Sequence, residues 1–322
     1  MGLLGLPGRR ATLPRTGWGL VLLAGAVACG GAPPVVEEIV PRPSPPPALT
    51  VDVAEDAFDT LPELWGAWRR LDCAKVAYLS TWAEGQSAET VCAAIPKGHR
   101  APARPEYSDA DVYLPAAPAP EDGTWFLAIA RDPEPAYFVI MLEQELWRLA
   151  LGPVPALGKV AEPAGDEMPA DPALTVKAKL VPQQYLTYLT DPAGVSGITF
   201  PAGDPMRALL AELLRRPTKA RPDRVTTDVR LVTESPRVLM LADGGALVLH
   251  ALRLVRTQKP ARGRKTLKHP LYGKDDLRAF TGKSRLDTLT GSEILFLATK
   301  VTEAGKMTTI GLRRELAEIT AG

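Results

Sequence analysis

Asparagine is absent from the 322 residues, and histidine and cysteine occur three times each. His99, His250 and His269 stand far apart in the chain. A metal centre needs several His, Cys or carboxylate ligands converging on one point. No such spacing occurs, so neither a metal nor another cofactor is expected. His250 falls in a predicted strand and reads as an ordinary half-buried residue. Nucleophile and nucleotide motifs are missing too. Gly194-Val195-Ser196-Gly197 fails the spacing of a G-x-S-x-G elbow. There is no S-x-x-K with a K-T-G box, no H-E-x-x-H, no P-loop and no G-x-G-x-x-G, which argues against penicillin-binding, zinc-protease and nucleotide chemistry. The apolar run at 17–28 is short of the roughly 20 residues a bilayer-spanning helix needs. With 46% apolar and 23% charged residues, the chain is neither wholly disordered, nor collagenous, nor a polytopic membrane protein.

What is present first is an N-terminal address. Arg9, Arg10 and Arg15 precede the run GWGLVLLAGAVA without an intervening acid. A basic segment, a short apolar core and small residues make a secretory signal peptide over residues 1–28. The residues after Arg9-Arg10 fit twin-arginine export poorly, so general secretion is expected. Ala26-Val27-Ala28-Cys29 resembles a bacterial lipobox, in which the cysteine thiol receives a diacylglyceryl group and becomes the new N-terminus. Two or more acyl chains anchor stably, because each buried methylene contributes about 0.8 kcal/mol. The alternative is an ordinary cleaved signal in which Cys29 is incidental. Residues 29–48 are dense in proline, and such a segment acts as a semi-rigid spacer. The expected location is therefore the outer face of the cell membrane, held by lipid on Cys29.

Cys73 and Cys92 then remain. Two cysteines in an exported chain suggest one disulfide, worth about 3 kcal/mol for a loop of this length in the chain-entropy model. Two buried free thiols are the alternative.

The body reads as α+β, in two tandem modules of helices followed by a curved antiparallel sheet. Leu61, Leu64, Trp65, Trp68 and Leu71 form an amphipathic stripe, and helical pattern continues to about residue 95. At this spacing the tryptophans read as core. Thr124–Ala130, Ala136–Leu142 and Leu146–Leu151 are apolar runs separated by polar turns, a meander. Gly, Pro and Ala dominate 156–172, which reads as a linker between a module at 49–155 and one at 173–322. In the second module, Val181–Thr190 reads as a helix. Asp204-Pro205 caps another with Met206, Leu209, Leu210, Leu213 and Leu214 at helical spacing. Val225, Thr227, Val229 and Leu231 alternate with polar residues, predicting a strand with one buried face. Asp243-Gly244 predicts a hairpin, and Ile294–Val301 with Met307–Leu312 predicts another around Glu303–Lys306. Phe126-Leu127-Ala128 and Phe296-Leu297-Ala298 mark a faint internal repeat. By analogy of fold, each module could be a cone of the cystatin-like kind.

The lipobox, the tether, WFLAIA…YFVIMLEQELWRLALGP from Trp125, ALRLVRTQ from Ala251 and the closing hairpin together resemble a family of actinobacterial secreted lipoproteins. The resemblance spans nearly the whole mature chain and implies an exported, membrane-anchored protein with no established activity. Abundant Ala, Pro, Gly and Arg without Asn fits a G+C-rich genome. The cysteine pair is a departure from that family.

The 38 basic and 37 acidic residues nearly cancel, yet they are segregated. Residues 51–206 hold 11 basic and 23 acidic groups, whereas 207–286 hold 19 and 7. Arg256, Lys259, Arg262, Arg264, Lys265 and Lys268 form the densest cluster, and residues 257–270 read as a long loop between strands. It offers contact with an anionic surface, or else is a solvated loop that neutralises the acidic half. Nucleic acid is a poor partner, since the chain is exported and aromatics do not interleave the charges. Glu106, Asp109 and Asp111 are the best local carboxylates for calcium, but no EF-hand loop surrounds them. Three functions compete. The first is a non-enzymatic envelope protein binding a protein or anionic polymer. The second is a small-molecule carrier or sensor with an apolar pocket lined by Trp or Phe. The third is a hydrolase whose site is built from scattered carboxylates or His250.

Overall fold

The computed structural model describes residues 49–116, 122–164, 171–215 and 220–322. Cys29 and the tether lie outside them. Thr50 caps the first helix, its hydroxyl accepting from the Val53 amide at 3.3 Å. Five short helices follow: α1 (Val51–Phe58), α2 (Leu61–Arg70), α3 (Cys73–Tyr78), α4 (Trp82–Gly85) and α5 (Ala88–Ala94). The helical pattern breaks at Leu79–Thr81, because Ser80 bridges to Leu149 of the neighbouring sheet. That sheet is a meander of β1 (Ser108–Tyr113), β2 (Thr124–Asp132), β3 (Ala136–Glu143) and β4 (Leu146–Pro155), antiparallel throughout.

The second half opens with α6 (Pro172–Lys179), α7 (Val181–Thr190) and α8 (Pro205–Leu214). Asp204 caps α8 through the Met206 amide at 2.9 Å. β5 (Arg224–Leu231), β6 (Arg237–Met240), β7 (Ala246–Lys259), β8 (Leu289–Val301) and β9 (Met307–Ala321) follow, with α9 (Lys274–Thr281) between β7 and β8. The sheet order is β5-β7-β8-β9, and β6 also pairs with β7. The α+β class and the order of helices then antiparallel sheet in each half are as the sequence predicts.

Alternation along the strands explains how the halves combine. Trp125, Leu127 and Ile129 of β2 share one core with Leu247, Leu249 and Ala251 of β7 and Phe296 of β8. Their neighbours Phe126, Ala128 and Ala130 face α1–α5. Val248, Leu252 and Leu254 face α6–α8. The layers therefore run helix, sheet, sheet, helix. Each sheet is covered on both faces, which is why β2, β3 and β8 read as nearly unbroken apolar runs.

Two expectations are corrected here. The segment after β4 is not a free linker through residue 164. Leu157 N donates to Ile310 O at 2.7 Å and Ala164 N to Met240 O at 2.8 Å, and Ala156 pairs with Gly311. Gly311 suits this close approach, since a Cβ would crowd Ala298 Cβ at 3.0 Å and Val154 Cγ1 at 3.1 Å. The two halves thus share the core between the sheets and form one compact unit from Ala48 onward. β5 also lacks the buried face its alternation predicts. It is an edge strand, and of its residues only Val229 is buried.

Candidate functional site

The basic loop between β7 and α9 has a defined shape. Asp223, just before β5, is buried, and its carboxylate accepts from the backbone amides of Lys268 at 2.8 Å, Ala261 at 3.2 Å and His269 at 3.4 Å. Gln258 at the end of β7 donates to the His269 carbonyl at 2.8 Å and accepts from the Leu271 amide at 2.9 Å. Beneath, Leu267, Leu271 and Tyr272 pack on Leu277, Leu286, Leu289 and Ile319. The Tyr272 ring covers Gly291, where a Cβ would collide with it.

Lys259, Arg262, Arg264, Lys265 and Lys268 are exposed on this scaffold. Among the described residues none of them forms an ion pair. Arg256 does not belong with them. It lies in β7 and pairs with Glu212 and, at 3.2 Å, with Glu293. Arg314 completes this group, bonding Glu212 at 2.8 and 3.0 Å and Glu293 as well. The Arg314 and Arg256 guanidiniums hold the Glu212 carboxyl down to about 2. The expected contact set therefore loses Arg256, whose charge is already committed inside the fold.

A second cluster is sealed between the halves. Glu84 of α4 is 3% exposed. It pairs with Arg313 of β9 and, at 3.5 Å, with Arg104. Glu315 of β9 lies 3.4 Å from Arg104 and 3.7 Å from Arg313. Arg104 stacks 4.6 Å from the Trp68 ring centroid, and Arg313 stacks 3.8 Å from that of Phe296. Burial pushes the Glu84 carboxyl above its ordinary value, against the downward pull of the arginines. A third cluster is deep in the second half. The Tyr185 hydroxyl meets Thr299 at 2.7 Å and Thr309 at 2.8 Å. Thr309 bonds Asp204 at 3.0 Å, and His250 Nε2 meets Thr299 at 3.1 Å. His250 is fully buried rather than half-buried, and burial pushes its imidazole down to about 3, so it is neutral. A histidine beside a threonine hydroxyl resembles a nucleophile–base pair, but this one is sealed from solvent.

Other expected groups are placed as follows. Cys73 and Cys92 form a disulfide joining α3 to α5, with Cα atoms 5.5 Å apart. Trp65 and Trp68 are core. The carboxylates of Glu106 and Asp111 are drawn apart, Glu106 to Arg69 and Asp111 to Arg131 at 2.6 Å. No metal-holding group of side chains occurs among the described residues. An open groove of about 1030 Å³ runs between α7, α8 and β5, lined by Leu189, Leu213, Val225 and Val229 with Glu212 and Arg256. Among the described residues no Trp or Phe lines its walls. Among the described residues no helix is long and apolar enough to cross a membrane.

Sequence reasoning missed the buried arginines Arg104, Arg237 and Arg313 entirely. Only Arg237 carries a signal, an isolated arginine among apolar strand residues in Arg237-Val238-Leu239-Met240, whereas Arg104 lies in a loop before β1 and Arg313 stands beside Arg314. The class defined by fold and site is an α+β body of two antiparallel sheets carrying a cationic loop whose ends are hydrogen-bonded to Asp223 and Gln258. No protein-family model, curated protein or solved structure matches the chain.

Proposed function

We propose that the chain is a lipid-anchored, non-enzymatic protein of the outer membrane face that binds an anionic envelope polymer through the loop after β7. The observation that carries this reading is the loop itself. Four exposed cations of the loop, Arg262, Arg264, Lys265 and Lys268, with Lys259 at the end of β7 beside them, form no ion pair among the described residues and stand on a backbone held by Asp223. The apolar side chains of that loop, Leu267, Leu271 and Tyr272, turn into its small core. That leaves charge, rather than an aromatic anchor of the kind protein interfaces use, as the means of recognition. A polyanion with phosphate or carboxylate repeats fits such a surface better than a protein face does. The lipobox at Cys29, the proline-rich tether and the Cys73–Cys92 disulfide support export and anchoring. His250 and Glu84 sit in packed interior, and Glu212, which lines the open groove, is tied up in ion pairs with Arg256 and Arg314, which ranks the enzyme reading lower.

Binding of the full chain to poly(glycerol phosphate) across a salt series tests the reading. Attraction near a charged surface is about 1 kcal/mol per basic residue, so neutralising three of them costs roughly a hundredfold in affinity. The variant R262E/R264E/K265E is expected to lose at least that. Unchanged binding by this variant contradicts the reading. Binding to anionic phospholipid vesicles without binding to the polymer overturns the polymer in favour of the membrane itself. For the anchor, Cys29→Ala is expected to move the protein from the membrane fraction to the soluble one, and retention refutes lipidation.

A further inference from the structure

We infer that Asp223 and Gln258 are positioning residues of the polymer-binding loop. They fix its backbone so that Arg262, Arg264, Lys265 and Lys268 meet a polyanion as one preformed surface. This inference rests on the polymer-binding reading above.

Asp223 is a buried acid within the most basic part of the molecule, yet it neutralises none of the loop's cations among the described residues. Its two oxygens take three backbone amides and, at 3.3 Å, the Gln258 side-chain amide. Gln258, fully buried, grips both the carbonyl of His269 and the amide of Leu271. Both ends of the loop are thus tied to neighbouring strands, at Ala261 on one side and at Lys268–Leu271 on the other. Among the described residues the cationic side chains between form no ion pair. A loop needing only solubility has no use for such a clamp. A binding loop does, because groups ordered beforehand lose less freedom on association.

A separate feature points the same way. Arg224 stands directly opposite Lys259 in the β5–β7 register, and both are exposed. Like charges facing each other across strands oppose folding. Here they extend the cationic surface from the loop onto the sheet edge.

The charge arithmetic makes the test sharp. Asp223→Asn removes an acid from the cationic region. If attraction depended on charge alone, affinity for poly(glycerol phosphate) would rise. Positioning predicts a fall of roughly tenfold from the loss of preorganisation. It also predicts a shallower dependence on salt, because fewer cations engage together. Lower stability by itself would not change that salt slope. Gln258→Met removes the second clamp without changing charge and is expected to act in the same direction, so the inference stays testable if Asp223→Asn fails to fold. Equal or tighter binding by both variants, with R262E/R264E/K265E still defective, overturns the positioning role and leaves the polymer reading standing. Full binding by R262E/R264E/K265E removes the polymer reading itself.

Discussion

The cluster around Glu84 and the loop around Arg264 are both rich in arginine, and they put it to opposite uses. Between the halves, Arg104 and Arg313 are matched by Glu84 and Glu315 and lie against aromatic rings. On the loop, Asp223 is spent on backbone amides, and among the described residues the loop's cations form no ion pair. The difference shows that count and sequence density of charge do not identify a binding surface. What matters is whether the charge is already answered inside the fold. Arg256 makes the point within a single segment. It is part of the basic run, but Glu212 and Glu293 answer it.

The comparison breaks most visibly at the sealed cluster. Glu84→Gln leaves Arg104 and Arg313 short of a buried carboxylate. Breaking a buried ion pair by removing one partner costs about 3–5 kcal/mol, so chemical denaturation should show a loss of that size. A loss below about 1 kcal/mol, the range of surface pairs, would mean the cluster is not sealed. Next in size is the disulfide. Cys73→Ser with Cys92→Ser is expected to lower stability by about 3 kcal/mol in the chain-entropy model, with polymer binding unchanged at temperatures where the variant is folded. Acid acts more gradually. His250 is held at about 3 in the fold against 6.5 when solvated. The unfolded chain therefore binds a proton that the folded chain refuses, and stability falls as pH drops from 6.5 toward 3. Glu212, held at about 2 against 4.5, adds a second loss that begins only below 4.5. A melting curve series should show His250→Phe flattening the decline between pH 6.5 and 4.5. An identical decline in that variant would contradict the burial account.

Much of the fold was legible because strands buried on both faces leave uninterrupted apolar runs, as in β2, β3 and β8. The hairpin at Asp243-Gly244 and the cap at Asp204-Pro205 were legible because turn and cap geometry demand those residues. β1 was missed because Ser108–Tyr113 is largely polar. Pairing with β2 makes it a strand, and backbone pairing leaves no mark on composition. α9 carried signals that went unread, Asp275 and Asp276 in its first turn and Gly282 at its end with φ +70°, because the preceding basic run suggested one long loop. The segment after β4 looked like a linker for the same reason that β1 looked like a loop, since its ties to Ile310 and Met240 are main-chain bonds. At the candidate site, the cations were legible as a charge run. The clamp was not, because Asp223 reaches Lys268 across 45 positions. The sealed cluster joins Glu84 to Arg313 across 229.

The most direct test of the contrast sets Arg313→Gln beside Arg264→Gln, with melting temperature and affinity for poly(glycerol phosphate) measured on both. The account predicts a crossed result. Arg313→Gln melts well below the parent but binds the polymer normally while folded. Arg264→Gln stays within about 0.5 kcal/mol of parental stability, as surface substitutions do, but binds several-fold more weakly. If both variants lose stability alike, or neither changes affinity, the division of the arginines into structural and polymer-binding sets is wrong.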